Sequence, residues 1–119
     1  MKPEDRDAGY LWDMLEAARE TRELLHGYTL KKLIGDARTR RALERTLEVL
    51  GEAANRVSVP TREAQPGIPW AKIIGQRNVI AHGYAVIDHS RLFMTVTQDL
   101  AGLIADLERI VKALEADSE

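Results

Sequence analysis

The sequence predicts an all-α fold, an antiparallel bundle of four to five helices. Three observations carry the expectation. Apolar residues recur at spacings of three and four along most of the chain, no stretch alternates convincingly with period two, and three of the four prolines (Pro60, Pro66, Pro69) fall within ten residues and mark one clear loop.

The first helix is expected from about Asp5 to Leu25, where Leu11, Trp12, Leu15, Ala18 and Leu24/Leu25 line one side. His26-Gly27-Tyr28 offers a glycine stop, and Thr29 to Ile34 is expected as a short turn. Asp36 suits the N-cap of a second helix carrying Leu43, Leu47, Leu50, Ala54 and Val57. Ser58 to Ile68 reads as loop. Pro69 then fits the first turn of a third helix with Trp70, Ile73, Ile74, Arg77, Ile80 and Ala81, ending or bending at Gly83. The fourth helix has the longest stripe, from Leu92, Phe93 and Val96 through Leu100, Leu103, Ile104, Leu107, Ile110 and Val111 to Leu114. Phe93-Met94-Thr95-Val96-Thr97 alone would pass for a strand, but the helical stripe runs through it in phase. Gly51, Gly75 and Gly102 fall inside predicted helices, where each costs roughly 1 kcal/mol against Ala, and close helix contacts would explain them.

A length of 119 residues leads us to expect one domain over residues 1–119. The composition is 45% hydrophobic and 30% charged, a globular balance that argues against disorder and collagen-like repeats. Cysteine is absent, which excludes disulfides, thiolate nucleophiles and cysteine-held zinc or iron–sulfur clusters. No membrane span and no signal-peptide core are visible, so a cytoplasmic protein is expected. Seventeen Lys and Arg stand against nineteen Asp and Glu, a net charge of -2. No global field draws this chain onto nucleic acid, and any phosphate binding has to be local. Twelve of the basic residues are Arg, the type suited to bidentate phosphate contact.

The common phosphate-loop, dinucleotide, zinc-protease and serine-hydrolase motifs are missing. His26, His82 and His89 have no metal-like spacing with carboxylates, so neither metal nor cofactor is expected. What stands out is Gln76-Arg77-Asn78-Val79-Ile80-Ala81-His82-Gly83-Tyr84, which sets polar side chains into an otherwise apolar helix. On an ideal helix Arg77 and Tyr84 share a face two turns apart, and Asn78 and His82 share an adjacent one. Arg77 and His82 differ by about 140° in direction and about 7.5 Å along the axis, so one straight helix does not aim both at one phosphate. Either the helix breaks at Gly83, or two copies meet across a two-fold axis and build a shared groove. Arg22-Glu23-Leu24-Leu25-His26-Gly27-Tyr28 is a second Arg…His-Gly-Tyr string, which reads better as a charged helix end. On residues alone, Arg77 as a buried ion-pair partner and His82 as a satisfied core histidine is the slightly better reading.

Arg77, His82 and Tyr84 in this spacing, preceded by Ile68-Pro69-Trp70 and by Leu50-Gly51-Glu52-Ala53-Ala54 and followed by Asp88, resemble the HepT-like toxins of the HEPN superfamily over about Ala42 to Leu107. The resemblance implies a helical homodimer, a metal-independent endoribonuclease acting on RNA, and a neighbouring nucleotidyltransferase antitoxin of the MntA type. It places the active residues on Arg77, His82 and Asn78, an AMP-modified tyrosine on Tyr84, and a supporting role on Glu52, for which a structural salt bridge is as good a reading. Gly83 departs from the family pattern just beside the site.

Without a metal, the economical way to cut a phosphodiester is attack by the substrate's own 2′-hydroxyl, which restricts the reaction to RNA. An imidazole, with a reference pKa of ~6.5, serves as proton donor or acceptor near neutrality. A guanidinium on the nonbridging oxygens offsets the charge of the pentacoordinate transition state. Arg38, Arg40, Arg41 and Arg45 are candidates for a basic groove. The rival reading is a non-cleaving helical module that partners a nucleotidyltransferase or holds a nucleotide.

Overall fold

The structure, a computed structural model, describes residues 2–82 and 87–117. A 3-10 turn over Pro3–Arg6 leads into α1 (Asp7–Leu24), followed by α2 (Leu30–Ile34), α3 (Ala37–Arg56), α4 (Val59–Ala64), α5 (Trp70–His82) and α6 (His89–Asp117). The protein is an all-α helical bundle, with no strand among the described residues.

Helix α3 forms the shared wall, packing on α1 along one side and on α5 along another, while α6 lies against α1. The antiparallel run of α1 and α3 is fixed by polar bonds at both ends. At one end the hydroxyls of Thr21 and Thr46 stand 2.8 Å apart. At the other, the buried carboxylate of Asp7 accepts the Ser58 amide at 2.9 Å and the Ser58 hydroxyl at 2.6 Å. Thr61 donates to the same carboxylate, so a charge taken out of water has three donors around it. Between these ends Leu11, Leu15 and Ala18 of α1 meet Leu43, Leu47 and Leu50 of α3 and Ile104 and Leu107 of α6 in the core.

Several sequence expectations need adjustment. The first regular α-turn begins at Asp7 rather than Asp5, because Lys2 and Pro3–Arg6 form a tighter turn, with the Lys2 amide bonded to Asp5 at 2.9 Å. The turn expected over Thr29 to Ile34 contains the five-residue helix α2, whose cap is Thr29, accepting from the Lys32 amide at 3.2 Å. The expected loop from Ser58 to Ile68 contains α4, since a proline in the first helical turn, here Pro60, is already set at a helical φ. Trp12, assigned to the buried stripe of α1, is 43% exposed, and the Arg19 guanidinium lies over its ring at 5.9 Å from the centroid. Phe93 to Thr97 is helical, as the longer pattern required, and Thr97 donates back to the Phe93 carbonyl at 2.8 Å. Of the three glycines placed in helices, only Gly51 has a neighbour close enough to require it; Gly75 and Gly102 have open space where a Cβ would stand.

The Arg22 to Tyr28 string resolves as a helix end. Gly27 takes a φ of 75°, the left-handed conformation that terminates helices. Tyr28 donates its hydroxyl to Asp36 Oδ2 at 2.7 Å, and Asp36 also caps α3 by accepting the Thr39 amide at 3.0 Å and the Thr39 hydroxyl at 2.7 Å. The Tyr28 hydrogen bond, then those from Thr39, hold the Asp36 carboxyl at about 2, below its ordinary 3.8. A depressed carboxylate pKa stabilises the fold above the unfolded value and ceases to do so as pH falls through the folded value. The melting temperature should therefore drop between about pH 4 and pH 2, and Tyr28→Phe should flatten that part of the profile. An unchanged profile in the variant, followed by circular dichroism, would show that the bond does not carry the effect.

Candidate functional site

Helix α5 carries the residues singled out by sequence. The Pro69 carbonyl accepts the Ile73 amide at 3.0 Å and so opens the helix, and the Trp70 indole donates to the Gln65 carbonyl at 3.0 Å, which pins its first turn to the α4 connection. Only Ile73 of α5 is buried; Trp70, Ile74 and Ile80 are half-covered, and Val79 is 51% exposed. The helix thus rests on α3 along a narrow strip and turns most of its surface outward.

Arg77 sits on that strip. It is half-buried, and a Cβ on Gly51 of α3 would overlap Arg77 Cβ, stand 2.8 Å from its Cγ and 3.0 Å from the Ile73 carbonyl oxygen. The stem of Arg77 therefore lies directly on the α3 backbone. Its Nε is buried without a hydrogen-bond partner among the described residues, while Nη1 donates to Asn78 Oδ1 at 3.0 Å in an exposed pair. An arginine that buries its inner nitrogen unpaired and keeps an outer one at the surface is held at a stability cost, and such costs gather where a group has to face a ligand.

His82 is the last residue of α5 and is exposed. Asn78, expected among the active residues, has its amide oxygen engaged by Arg77. Glu52 lies away from Arg77, paired with Arg56 at 3.0 Å in a groove of ≈ 230 Å³ between α1 and α3 that Tyr10, Asp13, Glu16 and Glu20 also line. Gly83 and Tyr84 lie outside the described residues. In the arginine cluster at the start of α3, Arg40 donates to the Leu33 carbonyl at 3.3 Å and to the Ile34 carbonyl, which closes α2, and Arg45 faces Glu48 at 3.8 Å. Arg38 and Arg41 stand exposed.

Beside α5 runs an open groove of ≈ 450 Å³ lined by Gly75, Val79 and Ile80 on one side and Ile87, Asp88 and Arg91 on the other. The Lys72–Asp99 ion pair at 2.6 Å bridges α5 to α6. His89, first residue of α6, meets Glu44 of α3 at 3.0 Å. Pairs separated by 45 residues in the chain leave no periodic signal in one sequence, and this one was not foreseen. Among the described residues no group of three or more His, Asp or Glu side chains is placed to hold a metal ion, and no helix is long and apolar enough to cross a membrane.

Comparison with known proteins places the chain. The model of the family described as "Ribonuclease HepT-like" matches residues 14–114, and the chain belongs to that family. Among relatives, "Probable ribonuclease HepT" of Thermococcus cleftensis is 30% identical over 112 residues, 94% of this chain and 100% of the relative. "Putative RNase MJ1380" of Methanocaldococcus jannaschii is 31% identical over 99 residues, 83% of this chain and 91% of the relative. "Putative RNase TTE0752" of Caldanaerobacter subterraneus is 28% identical over 105 residues, 88% and 90% of the two chains. No solved structure matches. An all-α fold and membership of a ribonuclease family thus agree with the resemblance drawn from Arg77, His82 and the flanking segments.

Because the buried Nε of Arg77 lacks a partner among the described residues, Arg77→Met should retain the packed stem and delete an orphaned donor. Unfolding free energy in urea should stay level or rise by about 1 kcal/mol, against the about 1–3 kcal/mol that an unsatisfied buried donor costs. A loss of stability would mean that the guanidinium supports the fold.

Proposed function

We propose that the protein is a metal-independent endoribonuclease toxin of a HepT/MntA-type toxin–antitoxin pair, acting in the cytoplasm as a single domain over residues 1–119. The observation that carries the reading is the placement of Arg77, in a chain that belongs to the ribonuclease HepT-like family: stem packed on Gly51, Nε buried, Nη1 at the surface beside Asn78.

In the proposed reaction the RNA 2′-hydroxyl attacks the adjacent phosphorus and the 5′-oxygen leaves. His82 takes the proton from the one or delivers it to the other. Arg77 grips the nonbridging oxygens and stabilises the additional charge as the pentacoordinate state forms. Asn78 keeps the guanidinium turned outward through its bond from Nη1. One imidazole performs one of the two proton transfers, and a second copy of the chain supplies another, so the working unit is a homodimer with both α5 helices on a common groove. The exposed Val79 and half-covered Ile80 of α5 support this arrangement.

His82→Ala and Arg77→Ala should each abolish RNA cleavage in EDTA while helical circular dichroism is retained, and DNA of the same sequence should survive the wild-type protein. Wild-type rates in either variant would refute the assignment. Growth on inducing the chain alone separates this reading from a non-cleaving partner module: arrest that disappears with His82→Ala marks the nuclease, harmless expression the module.

The proposal extends to Tyr84 as the acceptor of AMP from a nucleotidyltransferase antitoxin. An added phosphate near Arg77 would occupy the cation and repel incoming RNA phosphates. Co-expression with such an enzyme should raise the intact mass by one adenylyl group in the wild type and not in Tyr84→Phe; an unchanged wild-type mass counts against modification.

A further inference from the structure

We infer that Gly51 is a positioning residue for Arg77: the hydrogen that stands in place of its side chain sets the depth at which the arginine stem seats on α3, and this depth dries Nε and leaves the outer end of the guanidinium facing the surface. For its catalytic consequence, the inference rests on the proposed role of Arg77.

The contact is between main-chain-anchored atoms. A Cβ on Gly51 would overlap Arg77 Cβ and stand 2.8 Å from Cγ and 3.0 Å from the Ile73 carbonyl oxygen. A Cβ has no rotamer to escape into, so relief can come only from movement of the α5 backbone away from α3. Among the glycines predicted inside helices, Gly75 and Gly102 have open space above them, so the small residue at 51 answers a local demand rather than a general tolerance for glycine. The demand falls on one residue of α5 and on the carbonyl one turn before it. No other α5 side chain reaches the space above Gly51 as closely as that of Arg77.

Lifting the stem has a defined effect. Water reaches Nε, the pair from Nη1 to Asn78 Oδ1 loses its fixed base, and the guanidinium gains rotamers. A displacement of about 1 Å at a group that must meet a phosphate in one geometry costs up to about a hundredfold in rate.

The test reads the arginine directly. In protein labelled with nitrogen-15, the Nε–H resonance of Arg77, assigned by its loss in Arg77→Ala, should exchange slowly with solvent in the wild type. The Nε of Arg62, on α4, is also buried and gives an internal control. In Gly51→Ala the Arg77 resonance should shift and exchange about tenfold faster or more, while that of Arg62 stays slow, as expected of a local opening. Slow exchange at Arg77 in Gly51→Ala overturns the inference. Should Gly51→Ala fail to fold, Gly51→Ala with Arg77→Gly decides: removing Cβ and Cγ of residue 77 should restore the helical spectrum and the melting transition, and failure to restore them overturns the inference equally. In the cleavage assay Gly51→Ala should lower kcat rather than raise KM. Faster exchange at Arg77 with cleavage unchanged would uphold the positioning and refute the catalytic role of the guanidinium, so the two readings fail separately.

Discussion

The approach of α5 to α3 at Gly51 is the constraint on which the site depends. Helix α5 has one buried side chain, Ile73, and a narrow line of half-covered ones. A helix held by so little apolar area gains its placement from close fit, because dispersion falls off steeply with distance and a gap of a fraction of an ångström forfeits much of it. Glycine at 51 lets the two backbones close that gap, and Arg77 is the side chain caught in the seam. The same fit that secures α5 therefore decides where the guanidinium stands.

Charge follows a similar economy. With a net charge of -2, the chain attracts polyanions only where individual cations are free to meet them. Much of the arginine complement is committed elsewhere: Arg40 closes α2, Arg45 faces Glu48, Arg56 faces Glu52, and Arg19 covers Trp12. The exposed ion pairs of Arg45 and Arg56 contribute little stability, but each lowers the local positive potential. Recognition of RNA on the proposed reading thus rests on few phosphate contacts, and affinity should vary only modestly with salt compared with a broadly basic nuclease.

The helices were legible because burial on one face writes itself into spacing. The stripe of α6 from Leu92 to Val111 is buried at Leu92, Val96, Leu100, Leu103, Ile104, Leu107, Ile110 and Val111, as the period requires. Asp36 was recognisable as a cap from residue type and position alone. Short elements were not, since α2 and α4 span only five and six residues, too few for a period to show, and proline in α4 carries a turn signal as well as a helix-start signal. Trp12 misled because a stripe counts apolar residues and cannot tell a ring lying under an arginine guanidinium from one in the core. At the site, residue types were readable in Arg77, Asn78 and His82, whereas the pairing of Asn78 with Arg77 and the ion pair of Glu52 with Arg56 depend on rotamers that no spacing encodes.

The uneven covering of α5 bears on the proposed dimer. A helix that faces solvent with Val79 exposed, Ile74 and Ile80 half-covered and Gly75 open above its backbone leaves apolar area that a monomer gains nothing by displaying. His82 ends the same helix, about 140° around the axis from Arg77 on ideal geometry. Rotation about a two-fold axis turns this divergence into convergence, because an arginine pointing away from its own histidine can point toward the partner's. On that arrangement the apolar face and the polar residues serve one interface: the first provides the free energy of association, and the second occupy the groove that association creates.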